Sequence, residues 1–349
     1  MSEAFPFVSA VLLSYNCAEF IAEAVRSVLQ QDCEPMEVVV SDDASEDETV
    51  AILEGELNSY HGPHRIDIRR RINNSGSKSA HLNDVLRTVS GEIIVSFDGD
   101  DISEISRVLS IVKVFRRNPT VQAVYSAYSL IDEAGRPLGS GTVPHPSSNV
   151  NTKAWFANVN AYASGGTLAI RRTVCESFGS LDPNIHEDVV LPFRASLLGE
   201  VKYLDEKLVK VRRYPGSLTQ RFDVYDSVDS YRSRFLWGID QARRHRHSRL
   251  FDLRTAMALM PDRVEEFEGL HEIIMASMTD AETSAGLVSP SLRIRTRALL
   301  ELLRRGPGRE AIARNICLAF APNLYLRYKR KMLSMGRKPA LHEGPGPEL

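Results

Sequence analysis

Apolar residues recur in two rhythms along the first two-fifths of the chain. Residues 7–13 form a continuous apolar run bounded by Pro6 and by Ser14-Tyr15-Asn16, which predicts a buried strand. Behind it Ile21, Val25, Val28 and Leu29 repeat at helical spacing, with Asn16 and Glu19 placed as a capping box. Residues 37–40 predict a second strand, and Ser45 with Glu48 a second capping box opening a helix through Val50, Leu53 and Leu57. Residues 65–69 alternate as a strand near a sheet edge, and residues 73–76 have turn chemistry. Leu82, Val85, Leu86 and Val89 then mark a helix stopped by Gly91. Residues 92–97 predict another buried strand, followed by a helix from Ser103 through Ile105, Val108, Leu109 and Val112 that stops at Asn118-Pro119. Strands alternating with helices at this pitch mean βαβ units and a parallel sheet.

The pattern then loosens. Residues 124–131 read as a strand, 132–136 as a hairpin turn and 139–152 as a loop. Gly165-Gly166 precedes a short strand at 167–170. His186-Glu187-Asp188 leads into a helix containing Phe193 and Leu197. A proline is tolerated in a helix's first turn, so Pro192 places Glu187 and Asp188 just before that helix. Two short strands, 201–204 and 208–211, close the region. Beyond about Arg221 the chain is helical and arginine-rich. Residues 293–338 hold thirteen Lys or Arg against Glu301 and Glu310, interleaved with Leu299, Leu300, Leu303, Ile312, Ile316, Leu318 and Phe320. The expected organisation is an α/β domain over 1–221, a helical basic region over 222–340 and a disordered tail over 341–349.

Composition narrows the class. A hydrophobic share of 43% and a charged share of 25% over 349 residues are those of an ordinary globular protein. The net charge of −2 gives no global attraction to nucleic acid. Cys17, Cys33, Cys175 and Cys317 have no metal-ligand spacing, which points to a reducing compartment. The N-terminus lacks a basic leader, and no apolar run reaches the roughly 20 residues of a membrane span. These features predict a cytoplasmic protein.

Candidate chemistry gathers where the predicted strands stop. Asp42 and Asp43 follow one strand and Asp98-Gly99-Asp100-Asp101 follow another, while Tyr15 follows the first. In open α/β sheets ligands bind at that carboxyl edge. Three crowded aspartates repel one another, and a divalent cation is the simplest reason for them; a polar turn capped by Ser103 is the alternative.

Taken together, the blocks Ser14-Tyr15-Asn16, Asp42 to Thr49, Asp98-Gly99-Asp100-Asp101 and Glu187-Asp188 resemble the family 2 inverting glycosyltransferases of GT-A, Rossmann-like fold. Gly165-Gly166-Thr167 and Arg212 to Ser217 also fit the family's pattern, so the resemblance covers residues 7 to about 219. It implies that Tyr15 packs on a nucleotide base hydrogen-bonded by Asp43 or Asp42, with Ser14, Asn16 and Glu19 shaping the pocket. It places Asp98 and Asp100 on the ribose, Asp101 with Asp100 on Mg²⁺ or Mn²⁺, and Lys78, His81 and Arg213 near donor or phosphate. Gly165 and Gly166 fall at the acceptor. Asp188 resembles the general base, with Glu187 as fallback and a helix N-cap as its structural alternative. A carboxylate of near-normal pKa would be ionised for this task at neutral pH. Where the family often has histidine this chain has Tyr214, with Arg212, Arg213 and Ser217 as replacements.

The expected function is metal-assisted transfer of a sugar from a nucleotide-sugar, UDP-linked by default, to an acceptor hydroxyl of a glycan or lipid-linked substrate. The competitors are a sugar-phosphate nucleotidyltransferase, which should carry a glycine-rich basic loop that residues 14–19 lack, and a non-catalytic nucleotide-sugar scaffold. The basic C-terminal region has two readings, an interfacial helix at the inner face of an anionic membrane and a helical cap with solvated arginines. Without an aromatic stacking platform, nucleic acid is not an expected partner.

Overall fold

The computed structural model describes residues 7–141, 152–158, 161–215, 217, 228–304, 309–324 and 327. The first half alternates as β1 (Val8–Ser14), α1 (Ile21–Leu29), β2 (Glu37–Asp42), α2 (Thr49–Asn58), β3 (Arg65–Arg70), α3 (Lys78–Leu86) and β4 (Ile93–Asp98). Next come β5 (Ile102–Ser103), α4 (Arg107–Arg117), β6 (Val121–Ile131), β7 (Pro137–Gly141) and α5 (Thr152–Ala157). A 3-10 turn (Gly165–Thr167) leads to β8 (Ala169–Arg171), α6 (Arg172–Phe178), α7 (Glu187–Leu198) and β9 (Glu200–Arg212). The rest is helical: α8 (Val228–Leu259), α9 (Val264–Leu287), α10 (Leu292–Arg304) and α11 (Arg309–Phe320).

One sheet runs in the order β3-β2-β1-β4-β8-β6-β9-β5, with β7 paired to β6. The strands β3, β2, β1 and β4 are mutually parallel, and β8 enters antiparallel beside β4. Every residue of β1 and of β2 is buried, which explains why both read as mainly apolar runs without alternation. Ala10, Leu12, Val38, Val40, Ile93 and Val95 pack with Ile21, Val25 and Val28 of α1 and with Val108, Ile111 and Phe115 of α4. Each such side chain contributes about 1.5–3 kcal/mol by leaving water. The alternating 65–69 segment is the edge strand β3.

Several local expectations are corrected. Neither proposed capping box forms: α1 and α2 begin at Ile21 and Thr49 with no side-chain cap bond. Asn16, at φ 46°, instead accepts at Oδ1 from the Glu46 N–H, while Ser45 Oγ accepts from the Asn16 N–H, so the two turns lock to each other. Ser103 caps nothing; it lies in β5 and accepts from buried Arg107, the first residue of α4. The segments 201–204 and 208–211 are one strand, β9, whose pairing with β6 shifts register around Ser126 and Ala127. The expected loop over 139–152 is corrected at both ends, where residues 139–141 belong to β7 and Thr152 opens α5; residues 142–151 and the tail over 341–349 lie outside the described residues.

The chain divides into two units. The first takes Met1–Phe156, Ala161–Arg221 and Asp252–Pro261, and contains the sheet. The second takes Ala157–Asn160, Phe222–Phe251 and Asp262–Leu349, and is helical where described. Among the described residues no helix is long and apolar enough to cross a membrane.

Candidate active site

The register of β1 with β2 and β4 brings Ser14 beside Asp42 and Leu13 beside Asp98, so the two acidic turns leave the sheet side by side. Gly99 follows at once; its N–H donates to Leu13 O at 2.9 Å, and a Cβ there would come within 2.9 Å of Cys17 Sγ. This position needs glycine because of that close approach.

The acidic turn is clasped from behind by Arg212, which is 2% exposed. Its N–H donates to Asp101 Oδ1 at 2.9 Å and its Nε to Asp100 O at 3.0 Å. The remaining donors reach Asp132 O, Glu133 O and Glu23 Oε2, and the guanidinium lies 4.7 Å over the Phe20 ring. Arg212 is thus a structural brace of the acidic turn. Tyr214 donates its hydroxyl to Asp100 Oδ2 at 3.0 Å and packs on Phe20, so a phenol stands beside the acidic turn at the position where histidine was expected.

On the other side stands Lys78, the first residue of α3. Its Nζ lies 2.6 Å from Asp98 Oδ1 and 2.9 Å from Glu187 Oε1, joining the end of β4 to the start of α7. Burial disfavours its charge, but Asp98 and Glu187 outweigh that and hold it well above the ordinary lysine value. His81, one turn along α3, is buried against Ser41 Oγ at 2.8 Å, and burial pushes its pKa down. The imidazole is therefore engaged beneath the site.

Gly165 and Gly166 are buried and thread between the carboxylates. A Cβ on Gly165 would come within 2.5 Å of Glu187 Oε1; one on Gly166 would come within 2.8 Å of Asp98 Oδ2 and 3.1 Å of Asp101 Oδ2. Their part in the site is to leave room for acids from three directions.

α7 begins at Glu187 itself, with His186 as its N-cap, so Glu187 and Asp188 lie inside the first turn and Pro192 is interior. The correction has a clear cause. A residue at 192 would donate to the carbonyl of Asp188, and proline has no N–H. That carbonyl accepts instead from the Ala163 N–H at 2.9 Å, which ties the strap carrying Gly165 and Gly166 to the head of the helix. Asp188 Oδ1 is buried with no hydrogen-bond partner among the described residues.

Electrostatics agree with the crowding. Burial, then Glu187, push Asp188 up to about 8, against the pull of Lys78. The expectation of a near-normal carboxylate is therefore overturned. Burial raises Asp101 well above its usual value, reinforced by Asp100 and Asp98 and opposed by the Arg212 N–H. Asp100 is raised by burial and Asp98, against the Tyr214 hydrogen bond. Arg107, fully buried over the Phe97 ring, is lowered to about 10 by burial despite Asp98 and Asp101.

The Asp42–Asp43 side is built differently. Asp42 is 2% exposed and accepts from Ser14 Oγ, the Ser45 N–H and Ser45 Oγ. Ser14 accordingly sits under the site as Asp42's partner. Asp43 accepts from the Ser75 N–H and Ser75 Oγ and pairs with Arg71 at 3.1 Å. Tyr15 is 48% exposed, its ring free on the loop above. Glu19 is exposed on the turn before α1, apart from the acid cluster; Glu23, one turn later, is the glutamate that reaches in, to Arg212. Arg213 is fixed by its N–H to Ile131 O at 2.8 Å. Ser75, Arg71, Glu23 and Arg107 carried no usable signal, because polar residues on turns and helices ordinarily read as solvated.

The sequence pattern of glycosyl transferase family 2 matches residues 9–179. Chondroitin synthase from Escherichia coli is 31% identical over 136 residues, which are 39% of this chain and 19% of that protein. Against solved structures, Staphylococcus aureus TarS 1–349 in complex with UDP-GlcNAc aligns over 95% of this chain and 92% of its own, with 16% identity and a TM-score of 0.53. The mannosyltransferase PcManGT from Pyrobaculum calidifontis, in complex with GDP-Man and Mn²⁺, aligns over 93% and 88%, with 19% identity and a TM-score of 0.50. The mixed sheet and its helices are those of the GT-A glycosyltransferase fold, and residues 9–179 of this chain belong to glycosyl transferase family 2.

Proposed function

We propose that this protein is an inverting glycosyltransferase that moves a sugar from a nucleotide-sugar, UDP-linked by default, onto an acceptor hydroxyl in polysaccharide or glycolipid assembly. The observation that carries the reading is the meeting of Asp98, Asp101, Glu187 and Asp188 around Lys78 and Gly166, with Asp188 Oδ1 buried and unbonded among the described residues. A carboxylate held so, with its proton affinity raised, suits a base that takes an acceptor proton. In one step the acceptor oxygen bonds the anomeric carbon, the bond to the diphosphate breaks on the opposite face, and the proton passes to Asp188. Tyr15 supplies a ring for the base, and Asp43, through its one unused Oδ2 lone pair, a hydrogen-bond acceptor. The UDP-GlcNAc of the TarS structure and the GDP-Man of the PcManGT structure support a nucleotide-sugar as the ligand of this fold.

Asp100 and Asp101 fit a divalent cation. Burial and mutual repulsion raise both, which is the condition a cation relieves. Two carboxylates with phosphate oxygens and water make a hard-oxygen set suited to Mg²⁺ or Mn²⁺. When bound, the ion neutralises charge on the departing diphosphate.

Calorimetric titration of UDP, GDP, dTDP and CDP, each with Mn²⁺ or EDTA, tests this. One nucleotide is expected to bind, about tenfold or more weakly in EDTA, and Asp101→Asn should abolish the difference. Failure of every nucleotide to bind with Mn²⁺ present would remove the donor-site reading and leave a protein of this fold without its substrate.

A further inference from the structure

The second unit carries a surface that sugar transfer does not use. In α10 the buried residues Ala298, Leu299 and Leu302 pack with Leu287 of α9 and Ala319 of α11. A Cβ on Gly286 would approach that of Ala298 to 2.6 Å, and Arg295 donates to Ala319 O at 2.8 Å. One side of α10 is therefore fixed inside the helical unit.

Among the described residues the opposite side is open. Arg293, Arg297, Leu300 and Arg304 recur at i, i+4, i+7 and i+11, so they form one stripe along the helix. All four are exposed, and Leu292, Ile294 and Leu300 are 58%, 51% and 53% exposed. The helix holds four arginines, and its single acid, Glu301, faces Thr283 of α9. Leu292, Thr296 and Leu300 line an open groove with the three stripe arginines and with Glu301, so the groove carries three cations against one acid.

We propose that this face of α10 is a docking surface for an anionic lipid bilayer, the arginines meeting phosphate headgroups while Leu292 and Leu300 enter the interface. Charge complementarity selects an anionic partner, and the exposed aliphatics select a lipid one. An arginine side chain lays its apolar stem along such a surface and keeps its charge at headgroup level. A nucleic-acid surface would not use the bare aliphatics Leu292 and Leu300, and α10 contains no aromatic residue for base stacking. The inference is independent of the donor chemistry, since it needs no activity to test.

The experiment is co-sedimentation of the full chain with vesicles of phosphatidylcholine alone or mixed equally with phosphatidylglycerol. Binding is expected only to the anionic vesicles, weakening steeply as salt rises. Arg293→Glu/Arg297→Glu/Arg304→Glu should weaken it on the order of a hundredfold, with circular dichroism unchanged. Leu300→Ser should weaken it at constant charge, which separates insertion from simple ion exchange. Equal sedimentation of wild type and the triple variant overturns the proposal. So does tight binding of a homopolymeric RNA with none to anionic vesicles.

Discussion

Asp188 has Glu187 and Asp98 as acidic neighbours and Lys78 as its cationic one, in a setting that burial makes costly for a charge. Its pKa, raised from 3.8 to about 8, fixes the sign of two effects. As a base it works only when unprotonated, so kcat/KM should fall as pH drops below about 8. Lys78→Met removes the neighbour that lowers this pKa, so the limb should move to higher pH, read directly from the profile. For stability, the folded state keeps a proton between about pH 4 and 8 that the unfolded chain has lost, so stability declines across that window. Asp188→Asn should therefore raise Tm at pH 8 by the equivalent of about 1–3 kcal/mol and leave it nearly unchanged at pH 4, while turnover is lost. An unchanged Tm at pH 8 would mean the carboxylate is not strained there. At this scale the acids were legible, because an aspartate cluster at a strand end has few structural reasons to exist. Of the cations that hold them, Lys78 and Arg212 entered only through the family resemblance, and Arg107 not at all. Arg107 and Arg212 are buried through contacts with backbone carbonyls 11 to 112 positions away, which no local pattern encodes.

Among the elements, α7 shows most clearly how a local rule yields to tertiary context. Proline in a helix interior costs about 3 kcal/mol in an isolated helix, and that rule placed Glu187 outside the helix. The Ala163 N–H changes the balance by taking the carbonyl that proline leaves free. Pro192→Ala restores the intrahelical donor, which then competes with Ala163 for Asp188 O. The expected result is a higher Tm, unchanged nucleotide affinity and kcat about tenfold lower as the strap loosens from the base. An unaltered kcat would show that the strap does not position Asp188. The two capping boxes misread for the opposite reason. Asn16 and Ala44 take positive φ, at 46° and 62°, so the chain turns once more before each helix and Ser45 is spent on Asp42. The limits of β1 to β4 were legible to within a residue or two, because most positions of those strands are apolar, whereas β6 starts three residues before the expected 124 and the short β5 and β7 were not read as strands. β9 was split by its exposed Asp205-Glu206-Lys207, which lie where its register with β6 shifts.

For the whole molecule, the alternation of strands and helices was enough to bring the acidic turns to one edge, since parallel strands send their carboxyl ends the same way. The boundary near residue 221 followed from a change in composition, and the contact pattern adds a return: Asp252–Pro261 belongs to the first unit. The reason is Arg194, 3% exposed on α7, whose Nε donates to Asp252 Oδ2 at 3.0 Å while its side chain, 5.6 Å over the Phe178 ring, also reaches the carbonyls of Gly179 and Ser180. A chain cut at residue 221 keeps the whole sheet and every acidic residue of the site, yet leaves this guanidinium buried without its carboxylate. Removing one partner of a buried pair costs about 3–5 kcal/mol, a large part of a domain's net stability. Asp252→Ala in the full chain isolates that term: it should lower Tm with nucleotide affinity unchanged at temperatures where the variant is folded. Arg194→Met/Asp252→Leu, which removes both charges and keeps the volume, should recover most of the loss. If Asp252→Ala melted with the wild type, the carboxylate would contribute nothing to the first unit, and the segment would be held by its buried Leu253 and Ala256. If the double variant fell as far as the single, the loss would be one of packing shape, and the first unit would then need Asp252–Pro261 for its contacts rather than for its charge.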